Sequence, residues 1–343
     1  MKLLSSFLVL CSIILLLFYW NFQSNKQQND LLLTLPKHFP PLPATPENPL
    51  TKAGIELGRK LFYDKNLSGN GKIACVSCHQ EQKVFSDGIA LSAIGESGKT
   101  LHRHTPSLAN VAWAKNLFWD GGATNLESLS VAPLTSADEM NQDLKVLVEE
   151  LSQNQEYRQK FGEAFPKNPT ISTQNILRAL AQFQRTLIAA NSRYDDYLLH
   201  KNNATLTSKE LAGLALVQKN CMPCHATILF TDHNFHNNGL DTDQKFTEEN
   251  EGMTKGRGRI TANEQDKGKY RTPSLRNVMR TAPYMHDGRF ANIEQVLEHY
   301  TKGIRKSATL SPFLSKDSQN LGIRLNETEK QAIISFLHTL TDH

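Results

Sequence analysis

Apolar residues recur at helical spacing along much of this chain, and little of it alternates as strands do. From Lys52 to Tyr63, the residues Ile55, Leu57, Leu61 and Phe62 mark one face of a short amphipathic helix. Ser136-Ala137-Asp138-Glu139 is expected to open a helical stretch through Phe161, with Leu144, Leu147, Val148 and Leu151 on its buried side. Ser172 begins another, presenting Ile176, Leu177, Leu180, Phe183 and Leu187. Thr207-Ser208-Lys209-Glu210 has the form of a capping box before a further helix. A last helix starts near Asn326, with Glu327 and Glu329 where carboxylates suit the helix dipole, and buries Ile333, Ile334, Phe336, Leu337 and Leu340. Residues 233–269 are polar and glycine-rich and read as loop, and Tyr194 to Asn203 reads as a hinge between two halves. The predicted fold class is mostly α.

The N-terminus breaks the pattern. Lys2 precedes a run without charge from Leu3 to Phe22, long enough to span a bilayer and ending in the aromatic edge Phe18-Tyr19-Trp20. It reads as a signal anchor, with a cleaved signal peptide as the alternative. Residues 23–50 are rich in Asn, Gln and Pro and read as a tether holding the body off a membrane. The remainder divides into 51–200 and 201–343, one domain each. A net charge of +4 with dispersed Lys and Arg gives no footprint for nucleic acid.

Cysteine placement changes the picture most. Of five cysteines, four lie in Cys75-Val76-Ser77-Cys78-His79 and Cys221-Met222-Pro223-Cys224-His225. C-x-x-C-H is a c-type haem attachment pattern. Two thiols three residues apart can each add to a vinyl group of one porphyrin, and the following imidazole can reach the iron. A zinc site built from Cys75, Cys78, Cys221 and Cys224 is the alternative, but it leaves both histidines unexplained. Cys11 lies in the apolar run and reads as a small buried hydrophobe. Two covalently bound haem c groups, one per half, point to an exported protein, most simply in a bacterial periplasm.

From about Leu50 onward the chain resembles the bacterial dihaem cytochrome c peroxidases, including their methylamine-utilisation (MauG-type) branch. The resemblance is carried by the order of several motifs. These are the two C-x-x-C-H segments, Phe118-Trp119-Asp120-Gly121, Asp138-Glu139-Met140, Phe230-Thr231-Asp232 with Phe235-His236-Asn237, the segment from Lys269 to Val278, and Thr281 to Gly288. It implies two cytochrome c-like haem domains packed together, the first reactive toward hydrogen peroxide and the second receiving electrons. Trp119 stands where the family places a tryptophan between the haems, and Glu139 stands at the family's distal acid–base glutamate. Without the resemblance, Trp119 reads as a core aromatic and Glu139 as a helix N-terminal carboxylate. A family glutamine near the distal pocket is replaced by Leu129, while Pro133 matches.

Three departures sharpen the expectation. Peroxidases that need reductive activation carry a distal histidine ten residues before the proline of Thr-Pro-Ser; counting back from Pro106 gives Glu96. That implies an open iron above His79, with His102 or His104 as rival caps. The axial position of the second haem, fourteen residues after His286, holds Tyr300, as in the MauG-type branch; Met285 is the rival ligand to the iron on His225. The family's interdomain calcium uses an asparagine side chain and two carbonyls. The carbonyl positions match Thr281 and Pro283, but His104 replaces the asparagine and imidazole suits calcium poorly. The resulting expectation is a periplasmic peroxidase drawing electrons from a small cytochrome c or copper protein. The alternatives are a MauG-like enzyme acting on a protein substrate and a non-catalytic dihaem electron carrier.

Overall fold

The computed structural model describes residues 33, 35–247, 253–315 and 321–343. The apolar run 3–22 lies outside the described residues, and among those described no helix is long and apolar enough to cross a membrane. The fold is mostly helical. In chain order its α-helices are α1 (Lys52–Tyr63), α2 (Cys75–Cys78), α3 (Leu126–Leu129), α4 (Val131–Thr135), α5 (Leu144–Gln153), α6 (Gln155–Ala164), α7 (Thr173–Gln184), α8 (Arg193–Leu198), α9 (Ser208–Asn220), α10 (Arg257–Thr261), α11 (Ile293–Glu298) and α12 (Glu327–Thr339). Two short strands, β1 (Phe235–His236) and β2 (Tyr270–Arg271), pair antiparallel.

The predicted caps form where the side chains allow them. Thr207 and Glu210 make the expected capping box of α9, and Asn326 with Glu329 makes another at α12. The stretch expected as one helix from Ser136 to Phe161 is instead a turn followed by two helices. Asp143 caps α5 by accepting the Lys145 and Val146 amides, and Asn154 ends α5 and caps α6. Both residues satisfy amides that a continuous helix would bond internally. Residues 136–142 fold back so that the Ser136 carbonyl accepts the N–H groups of Glu139 and Asn141.

Two separate cores result. The first gathers Leu57, Leu61, Phe62, Leu147, Phe161 and Leu180; the second gathers Val217, Phe230, Ile333, Phe336 and Leu337. Each buried side chain of this size contributes about 1.5–3 kcal/mol relative to exposure. Both cores close in the same way. A Cβ on Gly58 of α1 would lie 1.9 Å from the Ala179 carbonyl oxygen of α7, and a Cβ on Gly213 of α9 would lie 2.0 Å from that of Ala332 in α12. The same added Cβ atoms would lie 2.9 Å from the Cβ atoms of Phe183 and Phe336 respectively.

The likeness extends along both halves and marks an internal duplication. Phe85-Ser86-Asp87 after the first motif corresponds to Phe230-Thr231-Asp232 after the second, and Thr105-Pro106-Ser107-Leu108 to Thr272-Pro273-Ser274-Leu275. Ser107 donates to the Val84 carbonyl at 2.5 Å and Ser274 to that of Leu229 at 2.6 Å. Asn110 and Asn277 both adopt left-handed backbone, at φ 58° and 57°. In this alignment Trp119 corresponds to His286 and Pro133 to Tyr300.

The tether expected over residues 23–50 is docked onto the body from Lys37 onward. Phe39 packs edge-on against Trp113 and lies 4.5 Å from the Arg276 guanidinium, while the Trp113 indole donates to the Pro40 carbonyl at 3.0 Å. His38 meets Asp195 at 2.6 Å. An aromatic and a histidine inside a proline-rich stretch are enough to dock it. The expected hinge is likewise packed. Ser192 and Asp195 form a capping box at α8, and Arg276 binds Asp195 through both terminal nitrogens at 2.9 and 2.8 Å.

Candidate functional site

Each C-x-x-C-H segment is presented at a helix end with its imidazole aimed by a backbone carbonyl. Cys75 and Cys78 lie on the single turn α2, and Ser77 closes it by accepting the Ala74 N–H. Cys221 is the C-cap of α9, so the second motif follows that helix instead of lying within it. His79 donates from Nδ1 to the Phe85 carbonyl at 2.8 Å, and His225 from Nδ1 to the Pro273 carbonyl at 3.0 Å, with Phe230 O at 3.3 Å. Phe85 and Phe230 reach these positions in left-handed backbone, at φ 58° and 51°. A carbonyl only accepts, so Nδ1 carries the proton and Nε2 is left bare for a metal in both rings. Burial lowers the pKa of each imidazole, which keeps the ring neutral as a ligand must be.

The four thiols suit haem attachment better than zinc. All are free; burial pushes Cys75, Cys78 and Cys221 up to about 12 and Cys224 to about 11. Among the described residues no three His, Cys, Asp or Glu side chains converge as a metal-binding group, so the four cysteines do not form one zinc site. Neutral thiols in apolar surroundings fit addition to porphyrin vinyl groups.

Glu139 lies in the turn before α5, not on a helix N-terminus. Burial first, and the neighbouring Asp138 second, raise its pKa. Its charge also reaches Cys75 and Cys78, which places the carboxyl beside the first motif. The loop at Glu96 holds this turn in place: the Glu96 N–H donates to the Glu139 carbonyl at 2.8 Å, and a Cβ on Gly95 would lie 1.7 Å from the Asp138 carbonyl oxygen. The Glu96 carboxylate accepts from Asn141 at 3.2 Å. His102 is exposed, and His104 is buried with Nδ1 donating to the Ile89 carbonyl at 2.7 Å. His104 puts an imidazole where the family has an asparagine oxygen, and imidazole suits calcium poorly, so the residues do not fit that ion.

The second motif opens into a cavity lined by Cys221, Cys224, His225, Trp119, Arg271 and Tyr300, among others. Tyr300 is carried on a turn of π-helix, His299–Gly303, a distortion that recurs at functional sites. Burial pushes its phenol up to about 12, a hydrogen bond with Asn238 pulls against this, and Cys224 and Cys221 add to the rise. The same Asn238 amide donates to the Met285 sulfur at 3.3 Å. The two candidate axial side chains thus share one polar partner. Trp119 is buried at the seam between the halves, its indole N–H donating to the His104 carbonyl at 2.8 Å.

The motif spacing located these residues, gave Arg271 and His286 only as members of motif segments with no role, and missed Asn238 and His233. The duplication would have found His286 and Arg271, since they mirror Trp119 and His104.

A mostly helical fold with one attachment motif beside each of two cores defines a dihaem c-type protein. The profile of the family described as "Di-haem cytochrome c peroxidase" matches residues 52–203, and the chain belongs to that family. It is 35% identical over 303 residues to the methylamine utilization protein MauG of Methylorubrum extorquens, covering 87% of this chain and 81% of that protein. It is 30% identical over 298 residues to the cytochrome c551 peroxidase of Nitrosomonas europaea, covering 87% and 81%. Among solved structures, a MauG-like protein associated with microbial copper homeostasis superposes with a TM-score of 0.81 at 36% identity, covering 90% of this chain and 95% of the other. The chain is an oxidoreductase of the dihaem peroxidase type, and its family implies two c-type haems.

Proposed function

We propose that the protein is a periplasmic dihaem peroxidase in which His79 and His225 are the proximal iron ligands and Glu139 is the acid–base catalyst. Export is supported by the apolar run 3–22 and by covalent haem attachment, and the same run serves as a membrane anchor. Bound through the four cysteines, the haems supply the iron where peroxide is cleaved and the store for incoming electrons. Hydrogen peroxide takes two electrons and two protons to give two waters. Glu139 accepts a proton from one peroxide oxygen and delivers it to the departing one, a role that a carboxyl with a pKa raised by burial suits. Electrons come from a small cytochrome c or copper protein, enter beside His225, and pass Trp119. The observation that carries this reading is a half-buried carboxyl whose charge reaches both cysteines of the first motif, with a glutamate instead of a histidine at position 96. The test is the absorption and EPR spectrum of the oxidised holoprotein: one high-spin and one low-spin haem are expected, and two low-spin haems inert toward peroxide would end the reading.

Tyr300 favours a second reading. A phenol lining the cavity of the second motif is the feature the MauG-type branch leads one to expect, and the similarity to MauG proteins extends along most of the chain. In this reading the oxidising equivalents of peroxide are spent on residues of a partner protein. Its test is peroxide-dependent modification of a co-purified protein in the absence of any cytochrome donor.

A further inference from the structure

The cavity of the second motif has a cationic corner. Arg271 is half-buried and lines the cavity; its Nε donates to the Phe118 carbonyl at 3.2 Å and its backbone N–H to the Trp119 carbonyl at 2.8 Å. Burial alone moves its pKa, down to about 10, with no carboxylate to offset that loss. Beside it lies His233, which lines the same cavity with both ring nitrogens buried and unpartnered. Its pKa falls to about 4 through burial, with Arg271 and Lys115 opposing protonation and Asp232 favouring it. Asp232 is committed elsewhere: one oxygen takes the His236 ring at 2.7 Å and the other the Asn234 N–H at 2.9 Å.

A cavity-lining guanidinium without a counter-charge, next to a buried imidazole without a partner, is costly unless an anion completes the corner. A haem brings two carboxylates, and attachment through the vinyl groups leaves them on the remaining edge of the ring. We propose that Arg271 and His233 together seat a carboxylate of the second haem, and that His233 takes up a proton when that haem is reduced. This rests on reading the cavity as the second haem's site. Arg271 supplies the fixed charge, and neutral His233 donates one N–H to the carboxylate. An electron from a one-electron donor removes a unit of positive charge at the iron; a solvent proton then adds to the free ring nitrogen, and no other bond changes. The position matching His233 in the first half is Gly88, so the first half has no histidine there.

The experiment is a spectroelectrochemical titration of the purified dihaem protein between about pH 5 and pH 9. The midpoint potential of the second haem is expected to fall as pH rises, with one proton per electron setting a limit of about 59 mV per pH unit. His233→Asn flattens that slope, and Arg271→Lys, which keeps the charge, retains it. Equal slopes in wild type and His233→Asn, or a slope carried by the first haem alone, overturn the proposal. Should His233→Asn fail to mature, the reduced-minus-oxidised infrared spectrum of the wild type decides: bands that move on ¹⁵N-histidine labelling and with pH support it, and their absence refutes it. A pyridine haemochrome count separates the two levels. Fewer than two haems removes the reading of the cavity, whereas two haems with a flat potential removes only the seat.

Discussion

The backbone N–H of Arg271 donates to the carbonyl of Trp119 at 2.8 Å, across the seam between the two halves. The duplicate of this bond runs the other way, from the His104 N–H to the His286 carbonyl, also at 2.8 Å. The halves therefore clasp each other through equivalent residues, and Trp119 is held from both ends. The ring of His286 stacks on Tyr270 with centroids 3.6 Å apart, beside the same seam. Replacing Trp119 by Phe keeps the clasp and loses the indole donor to His104. Peroxide-dependent oxidation of a reduced small cytochrome should slow at least tenfold with both haems still attached, measured by stopped flow. Unchanged kinetics would exclude Trp119 from the route.

Glu139→Gln keeps the shape of the turn and removes the proton carrier. The rate of the reaction with peroxide should drop by about 10²-fold or more. The wild-type pH–rate profile should show an acidic limb above the ordinary carboxylate range, because burial raises the Glu139 pKa and only the ionised form accepts a proton. That limb should vanish in the variant; its persistence would assign it to another group.

Tyr300→Phe removes the phenol oxygen and leaves the ring. If that oxygen meets the second iron, the low-spin EPR signal and the visible spectrum of the second haem change while the first haem's signals hold. Identical spectra in variant and wild type would point to Met285.

The helix crossings make a stability prediction with a built-in control. Gly58→Ala and Gly213→Ala each drive a methyl into a facing carbonyl, at 1.9 and 2.0 Å, and should destabilise by about 1–3 kcal/mol despite the better helix propensity of Ala. Gly162→Ala in α6 meets nothing within 4 Å and should stabilise by about 0.5–1 kcal/mol. Thermal melts of the three variants check this. Melting points that rise in all three would mean that the crossings are loose.

Asp195 ties the docked N-terminal stretch to the second half. Burial pushes its pKa up, but the paired bonds from Arg276, with Ser192, outweigh this and hold it at about 2. A depressed acid contributes stability above its unfolded pKa near 3.8 and loses it as pH falls toward about 2. The contribution is about 2 kcal/mol, from the usual conversion of pKa shift to free energy. Denaturant melts of wild type should weaken by that amount over this window. Asp195→Asn should lack this part of the acid dependence and be less stable at neutral pH, because Arg276 is left buried without its partner.

Some of this protein is written locally, and sequence by itself determined that part. Cys75 and Cys78 with His79, and Cys221 and Cys224 with His225, are defined by covalent spacing alone. The helices starting at Lys52, Ser208 and Glu327 follow from apolar periodicity and from caps within four residues, so neighbours along the chain suffice to specify them. Tertiary structure decided what depends on partners far away in sequence. It broke the helix expected over 136–161, because the caps at Asp143 and Asn154 outcompeted continuation, and it turned Glu139 from a helix-end carboxylate into a half-buried acid beside the first motif. It drew Phe39 and His38 out of an apparent tether onto Trp113, Arg276 and Asp195. It also left Arg271 lining a cavity without a counter-charge. Burial and charge pairing set the pKa of a side chain, and both are fixed largely by residues tens of positions away or more, as Arg276 lies 81 from Asp195, where no local pattern reaches.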